Sequence, residues 1–154
     1  FYQYGLAYTI FPPHTVHPST PAFEEQLLKF AAVCRIVNKM RRFTIGAIGA
    51  RTTKFKTVRF DELTLERNGI SVDALDLSEV FYRVRRVDEK SGEYSAKADA
   101  LRSYCNWGRI PEDKFAVHVK TSVVLDQIVK ERHLNALALR CWEEFQNWEL
   151  HPAY

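Results

Sequence analysis

The residues best suited to binding chemistry lie in a glycine turn, Gly46-x-x-Gly49-x-Arg51, which spans the end of a short apolar run. Backbone N–H groups in such a turn, together with the Arg51 guanidinium, can face a polar ligand. The alternative is a structural role, in which the glycines let a helix approach the strand and Arg51 pairs with a local carboxylate. The sequence leaves both interpretations open, and it makes Arg51 the first candidate site residue.

This glycine spacing differs from the dinucleotide fingerprint G-x-G-x-x-G, and no G-x-x-x-x-G-K-[ST] motif occurs in the chain. Nucleotide binding by either mechanism is therefore disfavoured. The five histidines are scattered and form no H-E-x-x-H pair, so we predict no zinc site. His14 and His17, which share a proline-rich loop, are the best of these weak candidates.

Two carboxylates, Glu143 and Glu144, directly follow the last predicted strand. Such a pair can bind a metal or transfer protons. Adjacent residues on a helix point about 100° apart, however, so both cannot easily reach one atom. We prefer the structural explanation, because acidic residues in the first helical turn are favoured by the helix dipole. Serine-hydrolase and kinase motifs are also absent, and no catalytic residue is predicted.

A complete βαβ unit positions the glycine turn. The apolar run at residues 43–48 ends at Gly49, residues 61–68 have a helical pattern, and a second β-rich run at residues 70–75 follows Gly69. Two parallel strands joined in this way place the turn that contains Arg51 at the carboxyl edge of a sheet. Open α/β sheets bind their ligands at that edge.

Further elements are predicted on both sides of this unit. Apolar runs at residues 4–10 and 135–141 indicate two more strands. Thr20 as N-cap and Pro21 as first helical residue begin a helix that ends near residue 40. Its apolar stripe, which includes Cys34, is typical of a helix that packs on a sheet.

The second half of the chain is predicted to be mostly helical. Asp76 followed by Glu79 has the spacing of a capping box, so a short helix begins there. A polar loop at residues 90–94 is followed by predicted helices at residues 96–104, 111–132 and from 143 onward. This alternation predicts an α/β fold with a doubly wound, mainly parallel sheet of about four strands and helices on both faces.

Composition limits the classes of function. The chain has 154 residues, of which 46% are hydrophobic and 27% charged, as in an ordinary globular domain. A net charge of +3, without a basic stripe carrying stacking aromatics, disfavours nucleic-acid binding. No apolar run is long enough to span a membrane. Three cysteines without C-x-x-C spacing suit a reducing compartment, so we expect a cytoplasmic protein in which Cys34 and Cys141 are packing residues.

The chain begins at Phe1, without an initiator Met, in a segment predicted to be a strand. We therefore expect residues 1–154 to form a single α/β domain, which is a fragment of a longer multidomain chain.

Two stretches resemble the L-fucose and L-arabinose isomerase family, especially its fucose isomerase-like proteins. They are IGAIGARTTKFKTVRFDELTLERNGISVDALDLSEVF, at residues 45–81, and NALALRCWEEF, at residues 135–145. The resemblance implies a Rossmann-like middle domain of such an enzyme. The family interconverts aldoses and ketoses through an enediol, with Mn²⁺ or a similar divalent ion polarising the substrate.

The same resemblance implies which functional groups this chain carries. The family's metal-binding carboxylates and histidine lie C-terminal to the stretch that matches residues 135–145, so this segment alone is expected to bind no metal and to be inactive. Trp142 falls where fucose isomerases have a substrate-contacting glutamine, and its indole can stack on a sugar face. Trp142 and Arg51 are thus the candidate substrate-binding residues.

The implied partners are a sugar substrate, the remaining domains of the same chain and, because family members form oligomers, further copies of the protein. Trp107, Trp142 and Trp148 are candidates for those oligomer contacts. The alternative is a non-catalytic carbohydrate-binding or regulatory α/β module that kept the scaffold and lost the chemistry.

Overall fold

The computed structural model describes residues 1–10, 12–52 and 54–148. The chain divides into two compact units, Phe1–Met40 and Arg41–Tyr154. The first unit contains a short 3₁₀ helix, Tyr2–Tyr4, and helix α1, Pro21–Met40. Helix α1 begins at the predicted Thr20-Pro21 pair, where the Thr20 hydroxyl donates to the His17 carbonyl oxygen at 2.7 Å. No residue of α1 is buried. Cys34 is exposed in this structure.

The strand predicted at residues 4–10 is also wrong. Tyr4 ends the 3₁₀ helix, Gly5 follows it with φ +64°, and residues 6–10 have no regular secondary structure. The side chains of Leu6, Tyr8 and Ile10 are all more than half exposed. An apolar, β-branched run forms a strand only when a neighbouring strand pairs with it and a packed surface covers it. The local pattern of residues 4–10 supplies neither a partner strand nor a surface that covers it.

The second unit has three strands and five helices among its described residues. The strands are β1, Phe43–Ile48, β2, Ile70–Leu75, and β3, Ala136–Leu139. The helices are α2, Glu62–Arg67, α3, Leu77–Arg85, α4, Gly92–Tyr104, α5, Glu112–Glu131, and α6, Glu144–Asn147. A 3₁₀ turn, Lys56–Val58, lies between β1 and α2. No helix in the described part of the chain is both long and apolar enough to cross a membrane.

The sheet is parallel, and its strand order is β2-β1-β3. Ile48 at the end of β1 is level with Leu75 of β2 and Leu139 of β3. The βαβ unit predicted from the sequence is confirmed with its strand bounds. Within the described ranges the sheet has three strands rather than about four, because residues 4–10 form no strand.

The hydrophobic core lies between one face of this sheet and helices α3 and α5. Ile48, Val80, Val124 and Ile128 are completely buried there. Cys141 is partly buried against the same cluster, which confirms it as a packing residue. The long apolar helix predicted at residues 111–132 is therefore confirmed as α5, a central element of the core.

Side-chain caps fix the starts of three helices. Asp61 accepts the backbone N–H groups of Leu63 and Thr64 at the start of α2, and Asp76 accepts that of Ser78 at the start of α3. The capping box predicted for α3 is only half formed. The Glu79 carboxylate instead pairs with Arg83 at 2.7 Å and with Arg132 at 3.5 Å, since opposite charges compete with a backbone donor for that carboxylate.

Helix α4 begins earlier than predicted. Residues 90–94 were expected to be a loop, but Ser91 accepts the backbone N–H of Tyr94 and α4 starts at Gly92. A serine N-cap supplies an acceptor that the first turn otherwise lacks, so it allows a polar stretch to be helical.

Candidate functional site at the carboxyl edge of the sheet

The turn after β1 is built around Gly49. Its backbone N–H donates to the Leu75 carbonyl oxygen at 2.8 Å, and its φ of +77° is in the left-handed region. A Cβ built on Gly49 would lie 2.9 Å from Leu77 Cδ1. Glycine is therefore required here by both backbone conformation and packing. The turn carries Ala50 and Arg51 to the carboxyl edge of the sheet, as predicted.

An open groove of about 610 Å³ lies at this edge, beside β1 and β2. Small side chains, Ala47 and Ala74, form part of its floor, and the charged residues that line it are Arg51, Arg59, Glu62 and Asp76. Its volume is within the range of small-molecule sites, roughly 300–1,000 Å³. The two arginines and two carboxylates give the groove balanced charge, which suits a polyhydroxylated ligand that needs both donors and acceptors.

One carboxylate of the groove is already engaged. Asp76 caps α3, and hydrogen bonds from the side chain and the backbone N–H of Ser78 hold the pKa of Asp76 below its usual value. Asp76 is therefore a fixed negative charge at neutral pH. A carboxylate in this state can accept hydrogen bonds from a ligand, but it is poorly suited to donate a proton.

The chain after β3 forms the other half of the edge. The backbone N–H of Arg140 donates to the Ile48 carbonyl oxygen at 2.9 Å, so this segment continues alongside β1. A Cβ built on Gly49 would lie 3.2 Å from the Arg140 Cβ. The turns after β1 and β3 therefore lie side by side. The Arg140 guanidinium pairs with the Glu144 carboxylate at 2.6 Å.

Glu143 lies at the centre of an unusual turn. Its φ and ψ are 67° and −55°, and the backbone N–H of Glu144 donates to the Trp142 carbonyl oxygen at 3.0 Å. These values define a γ-turn of the rare type with positive φ, which is strained for a residue with a side chain. The helix α6 begins only after this turn. Because Glu143 is not helical, the separation of about 100° assumed from the sequence does not describe Glu143 and Glu144.

Trp142 precedes the strained residue and contacts Phe55, which comes from the loop after β1. Their ring centroids are 4.9 Å apart and the rings are inclined by 57°. Both side chains remain partly exposed to solvent, Trp142 to 51% and Phe55 to 41%. Sequence reasoning did not assign a role to Phe55. The signal that could have indicated one is an aromatic residue within a loop at a predicted ligand-binding edge.

The two predicted site residues thus lie at the same edge of the sheet but in different surroundings. Arg51 follows β1 and lines the groove beside β2, whereas Trp142 follows β3 and lies against Phe55. Strands β1 and β3 are adjacent. Arg51 also donates to the Thr52 carbonyl oxygen at 3.4 Å.

The other two tryptophans are used in packing. Trp107 Nε1 donates to the Leu101 carbonyl oxygen at 2.7 Å and the ring packs edge-on against Phe115. Trp148 stacks on Phe81, with centroids 4.3 Å apart. Trp107 and Trp148 are therefore partly buried within the unit itself, by aromatic partners and, for Trp107, by a carbonyl acceptor.

Residues for a metal site are not brought together in the described ranges, where no group of three or more His, Cys, Asp or Glu side chains is placed to hold an ion. His17 Nδ1 hydrogen-bonds with the Ser19 hydroxyl at 2.7 Å. A metal-dependent reaction would therefore need ligands beyond this set.

Comparison with known proteins gives two relatives, both named sulfoquinovose isomerase, from Priestia aryabhattai and Priestia megaterium. The chain is 27% identical to each over 134 residues, which are 85% of this chain and 29% of the relative. The chain therefore spans about three tenths of the length of the curated relatives it matches. No protein-family model matches it.

Proposed function

We propose that this chain is the middle domain of a metal-dependent aldose–ketose isomerase of the L-fucose/L-arabinose isomerase type. In this proposal it contributes a wall of the active site and oligomer contacts, and it does not contain the catalytic carboxylates. The substrate is a sugar, and the remaining domains of the chain and further copies of the protein are its partners. A cytoplasmic location stays a prediction from the cysteine pattern.

The observation that carries the proposal is the similarity to two sulfoquinovose isomerases over 85% of the chain. These relatives are sugar isomerases by name, and residues 45–81 and 135–145 also resemble sugar isomerases. Agreement between the two on one reaction class supports ketol isomerisation. This agreement is compatible with either a neutral or a sulfonated aldose as the substrate.

The topology supports a ligand site at the carboxyl edge on the β3 side of β1, where Trp142 follows β3, on the side opposite the groove beside β2. From β1 the chain crosses to β2 on one side, and from β2 it crosses back to β3 on the other side of β1. Crossovers between parallel strands are right-handed in about 98% of cases. Because the two crossovers run in opposite directions along the sheet, α2 and the α3–α5 segment lie on opposite faces of it. On this basis we infer a doubly wound, Rossmann-like sheet, in which the crevice between β1 and β3 is the switch point where ligands bind.

The reaction requires a proton to move between the neighbouring carbons C1 and C2 of the sugar, with a divalent ion polarising the carbonyl and hydroxyl oxygens. The described residues do not fit such an ion, since they form no group of ligands for it. The proposal therefore assigns Mn²⁺ or a similar ion to other parts of the full-length protein. Here Arg51 and Trp142 would bind and orient the sugar.

Ketose formation by the full-length protein is the test. L-fucose, L-arabinose and sulfoquinovose would be supplied in turn, with Mn²⁺ and with a chelator. We expect turnover of at least one sugar that is lost with the chelator and restored by the ion. A folded, metal-loaded protein that turns over none of these sugars but binds one of them without metal would instead identify the carbohydrate-binding or regulatory module.

A further inference from the structure

The contact between Phe55 and Trp142 is unusual for two large aromatic side chains that meet in a folded unit. The ring centroids are 4.9 Å apart, yet about half of Trp142 and two fifths of Phe55 remain exposed. Phe81 and Phe145 have almost the same centroid separation, 5.0 Å, but Phe145 is 6% exposed. The pair of Phe55 and Trp142 therefore leaves apolar ring surface exposed in the loops after β1 and β3. The Phe145 ring, by contrast, is buried in its pair with Phe81.

The turn that carries Trp142 is held in one conformation by several independent contacts. Glu143 has the strained backbone conformation described above, and the ion pair between Arg140 and Glu144 spans that turn at 2.6 Å. Arg140 also donates its backbone N–H to Ile48. Strain of this kind persists only where the surrounding structure determines it, and such residues cluster at ligand sites. The surrounding structure therefore determines the backbone conformation of the turn that follows Trp142.

We propose that Phe55 and Trp142 together form the surface on which the sugar ring stacks, with Phe55 as a binding residue that the sequence did not reveal. This inference rests on the proposed function, because it assumes that the ligand is a sugar. The C–H face of a sugar ring is apolar and packs well on open aromatic rings, while its hydroxyl groups remain free to reach polar residues. The turn after β1 that carries Arg51 lies beside the turn after β3.

A purely structural role for Phe55 makes a different prediction. If Phe55 served only to cover Trp142, its replacement would lower the stability of the unit and leave sugar binding unchanged. If it binds the sugar, replacement would weaken sugar binding, whatever it does to stability, so the change in binding separates the two roles.

The test measures KM, kcat and the unfolding temperature of the full-length protein with its preferred sugar. Phe55→Leu removes the ring and keeps an apolar side chain, Phe55→Tyr keeps the ring, and Tyr104→Leu removes a ring that is 86% exposed at the end of α4. We expect Phe55→Leu to raise KM about tenfold with kcat changed less than about twofold, since a binding contact common to ground and transition states is lost. Phe55→Tyr and Tyr104→Leu should retain the wild-type KM. An unchanged KM in Phe55→Leu would overturn the stacking surface.

Tryptophan emission separates failure of this inference from failure of the proposed function. A sugar that stacks on Trp142 should change the emission of the wild type in a saturable way, and Trp142→Phe should abolish that change. If no sugar is isomerised but this signal appears and is weakened in Phe55→Leu, the stacking surface stands and the isomerase assignment falls. If sugar is isomerised with unchanged KM in Phe55→Leu, only the stacking surface falls. Absence of both turnover and signal overturns both.

Discussion

Gly69 lies directly against the backbone of Arg41. A Cβ built on Gly69 would be 2.4 Å from the Arg41 carbonyl oxygen, and Gly69 itself has a φ of +82°. Its carbonyl oxygen accepts the backbone N–H of Phe43 at 3.0 Å. This close approach brings the start of β2 beside the start of β1, and it thereby sets the register that places both strand ends at the candidate site.

We expect Gly69→Ala to lower the free energy of unfolding by about 2 kcal/mol or more. A left-handed conformation costs an alanine about 1–2 kcal/mol, and the clash is with backbone, which cannot simply rotate away. Urea denaturation would measure the loss. Gly92→Ala is the matched control, since a Cβ there meets nothing within 4 Å and φ is not positive. Equal midpoints for the two variants would contradict the role assigned to Gly69.

Replacing Glu143 by glycine should stabilise the protein by about 1 kcal/mol, because glycine adopts positive φ without the strain that a side chain brings. Glu143→Gln keeps the side-chain size and the strain, so its stability should stay near that of the wild type. Thermal or urea unfolding of both variants would measure the difference. A destabilised Glu143→Gly protein would show that the Glu143 side chain makes a contact worth more than the strain.

Asp61 should contribute to the pH dependence of stability. The side chain and the backbone N–H of Thr64, followed by the backbone N–H of Leu63, hold the pKa of Asp61 below its usual value. Because the folded-state pKa lies below the unfolded value of about 3.9, ionised Asp61 stabilises the fold at higher pH. That contribution is lost as the pH falls through the lowered folded-state pKa.

An NMR titration of the Asp61 carboxyl group would test this. Thr64→Val removes the hydroxyl that donates to Asp61 at 2.6 Å, so the pKa should rise towards its usual value. Thr121→Val is the control, because the Thr121 hydroxyl donates to the Val117 carbonyl oxygen in α5. An Asp61 pKa that moves equally in both variants, or in neither, would refute the hydrogen bond as the main cause.

Arg51→Gln should raise KM for the sugar about tenfold in the full-length protein, since it removes a charged donor from the groove, and hydrogen bonds to charged groups are worth roughly 1.5–3 kcal/mol. Arg67→Gln, an exposed arginine at the end of α2, removes the same charge and should leave KM unchanged. Steady-state kinetics on the two variants would compare them. Similar KM values for both would remove Arg51 from the site and favour the structural interpretation of the glycine turn.

The central βαβ unit could be predicted because its signals are local. Apolar runs, the helical pattern of residues 61–68 and the stop at Gly69 each act within a few residues, and the observed strands Phe43–Ile48 and Ile70–Leu75 have the predicted bounds. The same kind of signal failed for residues 4–10. A strand needs a partner elsewhere in the chain, and a local pattern contains no information about that partner.

Within the candidate site, the position of Arg51 followed from the sequence and the importance of Phe55 did not. The turn after a parallel strand always lies at the carboxyl edge, so the glycine pattern was enough to place Arg51 there. Phe55 and Trp142 belong to loops after β1 and β3, and their contact depends on those strands being neighbours. The strain at Glu143 is likewise visible only in the backbone angles.

By itself, the amino-acid sequence determined where most helices and strands begin and end, because periodicity, caps and glycines act over a few residues of backbone. Only the tertiary structure decided which strands are adjacent, with Asn135 Oδ1 accepting the Thr44 backbone N–H across 91 residues. It also decided which aromatic rings are buried and which stay open at the sheet edge. Contacts of this range depend on packing of the whole unit, whose free energy no single segment of the chain contains.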